Sequence, residues 1–260
     1  MLQVWNEEGW AFIDSTDGSV FDLRGHNGSI YAFGRFDSIG GIAARMVARW
    51  DGTQWDTVAP PFPIPPNSQT LFACGAFYKG HMYVGGNFMA EGRTDMNDIA
   101  RWEPDSGQWA SVGGGLSGGM TWVQDMLIYD SLLVVAGTFS TSAFGDPGEG
   151  VIAWDGEQWI PMGLGLDGSV RDLHIHQGQL YAAGVFTLSP NGQAEVLARW
   201  TGVTWEALPG LEGNGLSTLA SMDGQLYMGG GFMFFGDHEY INIASYGPLG
   251  VSTAASPQLG

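Results

Sequence analysis

The stretch Tyr31-Ala32-Phe33-Gly34-Arg35-Phe36, which is followed by Ala48-Arg49-Trp50-Asp51-Gly52 and by Trp55, decides the fold of this 260-residue chain. Copies of it return along the sequence at intervals of about 50 residues. The Gly-x-Phe landmarks of the five copies are Gly34/Phe36, Gly86/Phe88, Gly137/Phe139, Gly184/Phe186 and Gly230/Phe232. A period of this length is typical of repeat architectures. We therefore expect most conspicuous residues to recur because of the repeat and not because of chemistry.

Each copy of the repeat predicts four β-strands, which we call A to D. A pair such as Asn-Gly or Asp-Gly often follows strand A, and it favours a tight hairpin turn because both residues tolerate positive φ. Strand B is the Tyr-x-x-Gly-x-Phe segment, strand C carries the first Trp, and strand D carries the second. A composition rich in Gly, Trp and Phe, with only 14% charged residues, also favours short strands over helices.

The two ends of the chain complement each other. The last copy stops after Tyr246 without a strand D, whereas the N-terminus begins with a C–D hairpin around Trp5 and Trp10. We therefore predict an all-β, five-bladed β-propeller of four-stranded antiparallel blades. The N-terminal strand would complete the last blade and close the ring, which removes an exposed sheet edge. The alternative is an open fragment of a longer array. In the closed ring, either Trp5 or Tyr246 takes the strand-C position of the closing blade.

This prediction makes the chain a single propeller domain over residues 1–248, followed by a linker or tail over residues 249–260 that is rich in Ser, Ala and Pro. The expected blades are residues 17–66, 67–116, 117–167, 168–213, and 214–248 plus 1–16.

The segment Gly85-Gly86, then Ala100-Arg101-Trp102-Glu103-Pro104-Asp105, then Trp109, resembles the kelch repeat. That family has a Gly-Gly pair ending strand B, an aromatic residue on strand C, an Asp-Pro turn and a Trp on strand D. The Ala-Arg-Trp-Asp-Gly-x-x-Trp form is more similar to kelch-like repeats of bacterial secreted and surface proteins. The resemblance covers roughly residues 1–248. It implies a β-propeller in a secreted or cell-surface protein, and such propellers host both binding modules and enzymes.

Charge limits the partners that the chain can have. The net charge is −18, and Lys79 is the only lysine. Nucleic acid and anionic membranes would repel such a chain, and no apolar stretch is long enough to span a bilayer. We expect a monomer that binds a glycan or a protein. No signal peptide is recognisable, so we expect it to be absent from this chain or removed. Cys74 lies in an apolar run and is predicted to be a buried thiol.

One column of strand A carries the carboxylates. In the aligned repeats it reads Asp22, Cys74, Asp125, Asp172 and Thr218. Because inner strands line the central channel of a propeller, the three acids could form a polar ring that holds a cation or orients a water. Alternatively, each accepts hydrogen bonds from backbone amides of a neighbouring blade. We assign no catalytic residue among them.

A pair of histidines alternates along strand A of the fourth repeat. His174 and His176 therefore face the same side of the sheet. Two such histidines can chelate a metal ion, but the spacing indicates no third ligand. We prefer a hydrogen-bonded or surface pair, so the sequence predicts neither a metal site nor a cofactor.

The segments between strands B and C differ most among the copies. Loops on a rigid scaffold usually carry function, and apolar residues where turn residues would suffice indicate a recognition patch. Alternatively, these residues cap the channel or pack against the next blade. The candidate binding residues are Phe144, Phe234, Phe235, Tyr240 and Arg93.

These patterns favour a non-catalytic binding or scaffolding module of a secreted or cell-surface protein, which recognises a glycan or a protein through the B–C loop face. One alternative is a polysaccharide-acting hydrolase or lyase that uses carboxylates near the central channel. Another is a purely structural spacer. The sequence names no ligand, and it leaves the question of catalysis open.

Overall fold

The computed structural model describes residues 2–6, 9–65, 68, 70–117, 121–142, 148–188, 194–208, 211–235, 238–239 and 242–246. The described residues contain strands, turns and irregular segments but no helix. The chain is an all-β protein with the four-stranded antiparallel sheets of a five-bladed β-propeller. The fold class predicted from the repeats is confirmed.

Turns and irregular segments join the strands in the described part of the chain. In chain order they are β1 (Leu2–Asn6), β2 (Gly9–Asp14), β3 (Ser19–His26), β4 (Ser29–Arg35), β5 (Ser38–Ile39), β6 (Ile42–Ala43), β7 (Val47–Trp50), β8 (Trp55–Thr57), β9 (Leu71–Tyr78), β10 (His81–Ala90), β11 (Arg93–Glu103), β12 (Gln108–Ser111), β13 (Leu116–Ser117), β14 (Trp122–Tyr129), β15 (Leu132–Thr138), β16 (Thr141–Ser142), β17 (Val151–Trp154), β18 (Trp159–Pro161), β19 (Asp167–His176), β20 (Gln179–Thr187), β21 (Ala194–Trp200), β22 (Trp205–Ala207), β23 (Leu211–Met222), β24 (Gln225–Phe235), β25 (His238–Glu239) and β26 (Ile243–Tyr246).

Each blade is a meander in which neighbouring strands pair. The first four have the strand orders β3-β4-β7-β8, β9-β10-β11-β12, β14-β15-β17-β18 and β19-β20-β21-β22. In the last blade β24 pairs with β23, β25 and β26. β1 and β2 pair in a two-stranded sheet of their own, with Trp5 opposite Trp10. Closure of the ring by the N-terminal strand therefore stays a prediction.

The A–B turns explain one of the repeated sequence signals. Both central residues of each turn have positive φ, as a type I′ hairpin requires. The five pairs are Asn27-Gly28, Lys79-Gly80, Asp130-Ser131, Gln177-Gly178 and Asp223-Gly224. Four of the pairs supply Gly at the second position, where a side chain is least tolerated.

The register of strand C answers the question about the closing blade. Trp50, Trp102 and Trp154 lie opposite Ile30, Met82 and Leu133 of their strand-B partners. Tyr246 lies opposite Leu226 in the same way. The strand-C position of the last blade is therefore occupied by Tyr246.

The landmark glycine marks a close approach between strands A and B. A Cβ atom at Gly34 would lie 2.1 Å from the carbonyl oxygen of Ser19. Strand A has a β-bulge opposite this point, because its register shifts by one residue between Val20 and Asp22. The same clash would occur at Gly86 with Leu71 O (2.1 Å), at Gly184 with Ser169 O (2.0 Å) and at Gly230 with Gly215 O (2.5 Å). The repeat thus preserves glycine because no side chain fits there.

The structure divides into two compact units. The first unit consists of Met1–Ser117 and Thr121–Met126. Its larger core packs Phe62, which comes from the segment after β8, against Phe72, Phe88 and Trp109 at ring-centroid distances of 4.9 to 5.5 Å. A second cluster in this unit surrounds Ile39.

The second unit consists of Gly118–Met120 and Leu127–Gly260. One of its core clusters includes Leu166, Phe186 and Trp205, and the other includes Leu216 and Met228. In both units the Trp of strand D is buried, at 8% exposure or less, against the Trp that faces it on strand C. These recurring aromatic residues are packing elements of the blades.

Two segments that we predicted as B–C loops lie in strands. β10 continues to Ala90 and β11 begins at Arg93, so Glu91 and Gly92 alone form the turn. β24 continues through Phe235, where we expected a loop. Pairing of β10 with β11 reaches Ala90 and Arg93, so the strand ladder extends into the segment that differs among the repeats.

Candidate functional site

A cavity of about 520 Å³ opens on the B–C side of the first repeat, within the first unit. Its lining includes Asp17 before β3, Arg35 at the end of β4, and Asp37 and Arg45 of the B–C segment. The buried side chains of Phe36 and Met46 contribute apolar surface. Cavities of this size accommodate small-molecule ligands. We call it the B–C cavity.

Asp17 holds the B–C segment in place. Its Oδ1 accepts hydrogen bonds from the backbone N–H groups of Asp37 (3.0 Å) and Ser38 (3.1 Å), and its Oδ2 accepts one from Ser38 Oγ (2.9 Å). The hydrogen bond from the Ser38 backbone lowers the pKa of Asp17 below its ordinary value. Asp17 is therefore ionised at neutral pH and fixes the rim of the cavity.

Arginine and carboxylate groups face each other across the same rim. Arg45 Nε donates to Asp37 Oδ1 at 2.8 Å, and both side chains are exposed. An arginine has five N–H donors in a fixed fork, so this bond leaves donors that can serve a ligand. The hydroxyls of Ser68 and Thr70, which are 2.8 Å apart, add groups that both donate and accept. The cavity thus offers cationic donors, anionic acceptors and hydroxyls together.

Sequence reasoning placed Asp37 in a variable B–C segment but did not select Asp17, Arg35 or Arg45. Arg35 and Arg45 carried a usable signal, because arginine is scarce in a chain of net charge −18. Their convergence depends on how the B–C segment folds over the start of β3. No pattern of sequence spacing encodes that.

The predicted binding residues have different outcomes. Phe144 and Tyr240 lie outside the described residues. The backbone of Phe234 and Phe235 lies in β24. Arg93 begins β11 and forms a two-bond ion pair with Asp95, at 2.7 Å for both Nε and Nη2. Whether these residues bind a ligand stays a prediction.

The strand-A carboxylates accept backbone hydrogen bonds. Asp22 Oδ2 accepts from Gly75 N at 3.0 Å on the next blade of the first unit. In the second unit, Asp172 Oδ2 accepts from Leu219 N at 2.5 Å. Both contacts match the structural interpretation of this column. A shared channel ring of Asp22, Asp125 and Asp172 stays a prediction.

Arg24 gives two of these carboxylates a second partner. Its Nε is 2.7 Å from Asp22 Oδ2, and its Nη2 is 2.5 Å from Asp125 Oδ1. Burial opposes the charge of Arg24, but Asp125 and Asp22 outweigh that effect and raise its pKa above the ordinary arginine value. The adjacent Cys74 is buried, as predicted, and burial raises the pKa of its thiol. The Cys74 thiol is therefore protonated and unreactive at neutral pH.

A second polar cluster, which the sequence did not reveal, surrounds Asp98. Its carboxylate is only 2% exposed and accepts hydrogen bonds from Phe88 N (2.9 Å), Asn97 Nδ2 (3.0 Å) and Thr121 Oγ1. The backbone φ of 62° at Asp98 recurs at the same place in other repeats, at Met46, Gly150 and Asn242. The positive φ therefore belongs to the repeat, and Asp98 fills this position within β11 with a carboxylate that accepts a hydrogen bond from the backbone of β10.

Replacing Asp98 by Asn will flatten the pH dependence of stability. Burial raises the pKa of Asp98 to about 6 from 3.8, although hydrogen bonds from Thr121 and Phe88 oppose the shift. The fold favours the protonated form of Asp98. Its contribution to the free energy of unfolding is therefore fully present below pH 3.8 and is lost as pH rises through about 6. The loss is at most about 3 kcal/mol. Denaturant unfolding of both proteins at about pH 5 and about pH 8 measures it. Parallel pH curves would contradict the assignment.

Comparison with known proteins assigns no family to this chain. No protein-family model matches the sequence, and none of the curated proteins matches it. Among solved structures, the chain is similar to one described as the crystal structure of the computationally designed Ika8 protein, with 15% identity and a TM-score of 0.43. The alignment covers 90% of this chain and 73% of that chain. In the part of the chain that the structure describes, no helix has the length and apolarity needed to cross a bilayer.

Proposed function

We propose that this β-propeller is a glycan-binding module, and that the B–C cavity of its first repeat holds the sugar. The observation that carries the proposal is the mixture of groups on one rim: the guanidinium groups of Arg35 and Arg45, the carboxylates of Asp17 and Asp37, and nearby hydroxyls. Each sugar hydroxyl both donates and accepts hydrogen bonds. A rim that presents donors and acceptors side by side therefore matches a polyhydroxylated ligand.

Charge favours a neutral glycan over an ion. An anionic ligand would meet Asp17 and Asp37 as well as the net charge of −18. A cationic ligand would meet Arg35 and Arg45. The rim carries both signs of charge. A neutral ligand that forms hydrogen bonds therefore meets the least electrostatic repulsion.

Shape favours a glycan over a protein partner. Protein interfaces of standard size bury about 800 Å² on each side and have apolar cores. The B–C cavity is concave and polar at its rim, and the partly buried Ile64 supplies apolar surface. A sugar ring can place its C–H face on that surface while its hydroxyls reach the rim.

The kelch-like character of the repeats and a secreted or cell-surface location are part of the same proposal. A glycan-binding module acts where polysaccharides occur, and the motif around Trp102 resembles repeats of bacterial secreted and surface proteins. Phe144, Phe234, Phe235, Tyr240 and Arg93, from the B–C segments of other repeats, are further candidate binding residues within this proposal.

Replacing Arg45 by Ala will weaken glycan binding without unfolding the protein. A hydrogen bond from a charged donor contributes about 1.5–3 kcal/mol, so we expect roughly a tenfold loss of affinity or more. A glycan array identifies the ligand, and calorimetric titration of that glycan measures the change. Asp37→Asn should also weaken binding, because it removes the charge that orients Arg45.

Arg199→Ala is the matched control for this experiment. Arg199 forms a similar exposed ion pair, with Glu206 at 3.1 Å, but it lies on a C–D strand pair and outside the B–C cavity. It should bind the glycan like the wild type. Equal affinity of Arg45→Ala and Arg199→Ala would exclude the B–C cavity. Replacement of Phe234 and Phe235 by Ala then tests the candidate binding residues of the last repeat. Loss of binding in that variant alone would place the glycan site at those residues.

A further inference from the structure

Two histidines and one serine of the second unit converge on a single position. His174 and His176 lie on β19, and Ser221 lies on β23, which packs against β19. His174 Nε2 is 2.8 Å from Ser221 Oγ, and His176 Nδ1 is 2.8 Å from the same oxygen. Sequence alone placed both histidines on one face of the strand. The structure adds that two ring nitrogens are directed at one atom.

The serine hydroxyl cannot satisfy both nitrogens in the same way. It has one proton, so it can donate to only one of the two rings, and the other ring must donate an N–H to the oxygen. Two imidazoles that both present lone pairs to this position would leave one lone pair unmatched. A cation would accept both lone pairs at once.

The rings are also held before any ion arrives. His176 is 6% exposed, and its ring packs at 70° against Tyr181 with a centroid distance of 6.1 Å. His174 is two residues away on the same strand and is only partly buried. One fixed ring and one accessible ring give a preorganised chelate with an open side.

We propose that His174 and His176 chelate a divalent transition-metal ion, with Ser221 Oγ beside it and water completing the coordination shell. Because Zn–N bonds are about 2.0–2.1 Å long, an ion near the present position of Ser221 Oγ would draw each nitrogen in by about 0.7 Å, and the serine side chain would rotate to place its oxygen beside the ion. Imidazole suits Cu²⁺, Ni²⁺ and Zn²⁺, whereas Mg²⁺ and Ca²⁺ take oxygen ligands. The described residues hold no group of three or more His, Cys, Asp or Glu that could bind a metal. The site is therefore a two-histidine chelate, and its residues belong to the second unit, whereas those of the B–C cavity belong to the first.

Calorimetric titration of the full chain with CuCl₂, NiCl₂, ZnCl₂ and MgCl₂ near neutral pH tests the proposal. We expect a histidine-dependent site with Cu²⁺ bound most tightly and Mg²⁺ not bound. His174→Ala and His176→Ala should each weaken Zn²⁺ binding about tenfold or more, because even outer-shell changes cost about 10–100-fold. His26→Ala is the control. The His26 ring stacks on Phe77 with a centroid distance of 3.8 Å, and it is not part of the proposed site. His26→Ala should therefore leave the Zn²⁺ affinity unchanged.

Ser221→Cys tests the geometry without removing either histidine. A thiolate beside the ion would become a third ligand, so Zn²⁺ binding should tighten about tenfold or more. Failure of Ser221→Cys to tighten binding would overturn the proposal even if a His→Ala variant does not fold. Unchanged affinity in folded His174→Ala or His176→Ala, or no binding by the wild type, would overturn it as well.

Discussion

Gly34→Ala will destabilise the protein by about 3 kcal/mol or more. The new Cβ would lie 2.1 Å from Ser19 O and 3.0 Å from both Val20 Cα and Phe36 Cδ1. The first two are backbone atoms of the paired strand, so the clash cannot be relieved by a side-chain rotation. β4 would have to move away from the bulge in β3, which breaks hydrogen bonds between the two strands. Urea unfolding measures the free-energy difference.

Gly25→Ala is the matched control in the same hairpin. A Cβ at Gly25 would meet no atom within 4 Å. Because alanine loses less backbone entropy than glycine, this variant should be neutral or more stable by about 0.5 kcal/mol. If both variants unfold at the same urea concentration, the landmark glycine is not retained for steric reasons.

Arg24→Met will cost about 3 kcal/mol, the second large effect that we expect. The substitution keeps the apolar stem but leaves Asp22 and Asp125 without their shared cation. The side chains of these carboxylates are 16% and 9% exposed, so water solvates them poorly. Removing one partner of such a cluster is costly because an uncompensated charge stays buried.

A second substitution separates the charge effect from packing. Arg24→Met combined with Asp125→Asn should recover part of the lost stability, because the double variant buries one carboxylate fewer. The exposed pair Arg199–Glu206 provides the comparison, and Arg199→Met should cost less than about 1 kcal/mol. No recovery in the double variant would show that Arg24 acts through packing alone.

The sequence predicted the parts of the fold that are local in the chain. Turn residues with positive φ, such as Asn27-Gly28, specify the A–B hairpins by themselves. Trp50 and Trp55 are opposite each other because a short turn joins their strands. The repeat contains five copies of these signals, so the sequence predicts the number of blades.

Contacts between blades were less predictable. Arg24 and Asp125 are far apart in sequence, and their ion pair joins the first and the third blades. The B–C cavity depends in the same way on Asp17 holding the segment around Ser38. The sequence predicts that His174 and His176 face the same side of β19. Their partner Ser221 belongs to the next repeat, so it could not be predicted. Such sites require the tertiary structure because no local pattern links their members.

The most direct test of the proposed function is a chemical-shift titration of the ¹⁵N-labelled protein with the strongest glycan from the array. The account predicts saturable shifts centred on the backbone amides of Asp17, Asp37 and Arg45, and their loss in Arg45→Ala. Amides around the A–B turn at Asn27 should not shift. Saturable shifts confined to other parts of the protein, or none with any glycan, would contradict a sugar site in the B–C cavity.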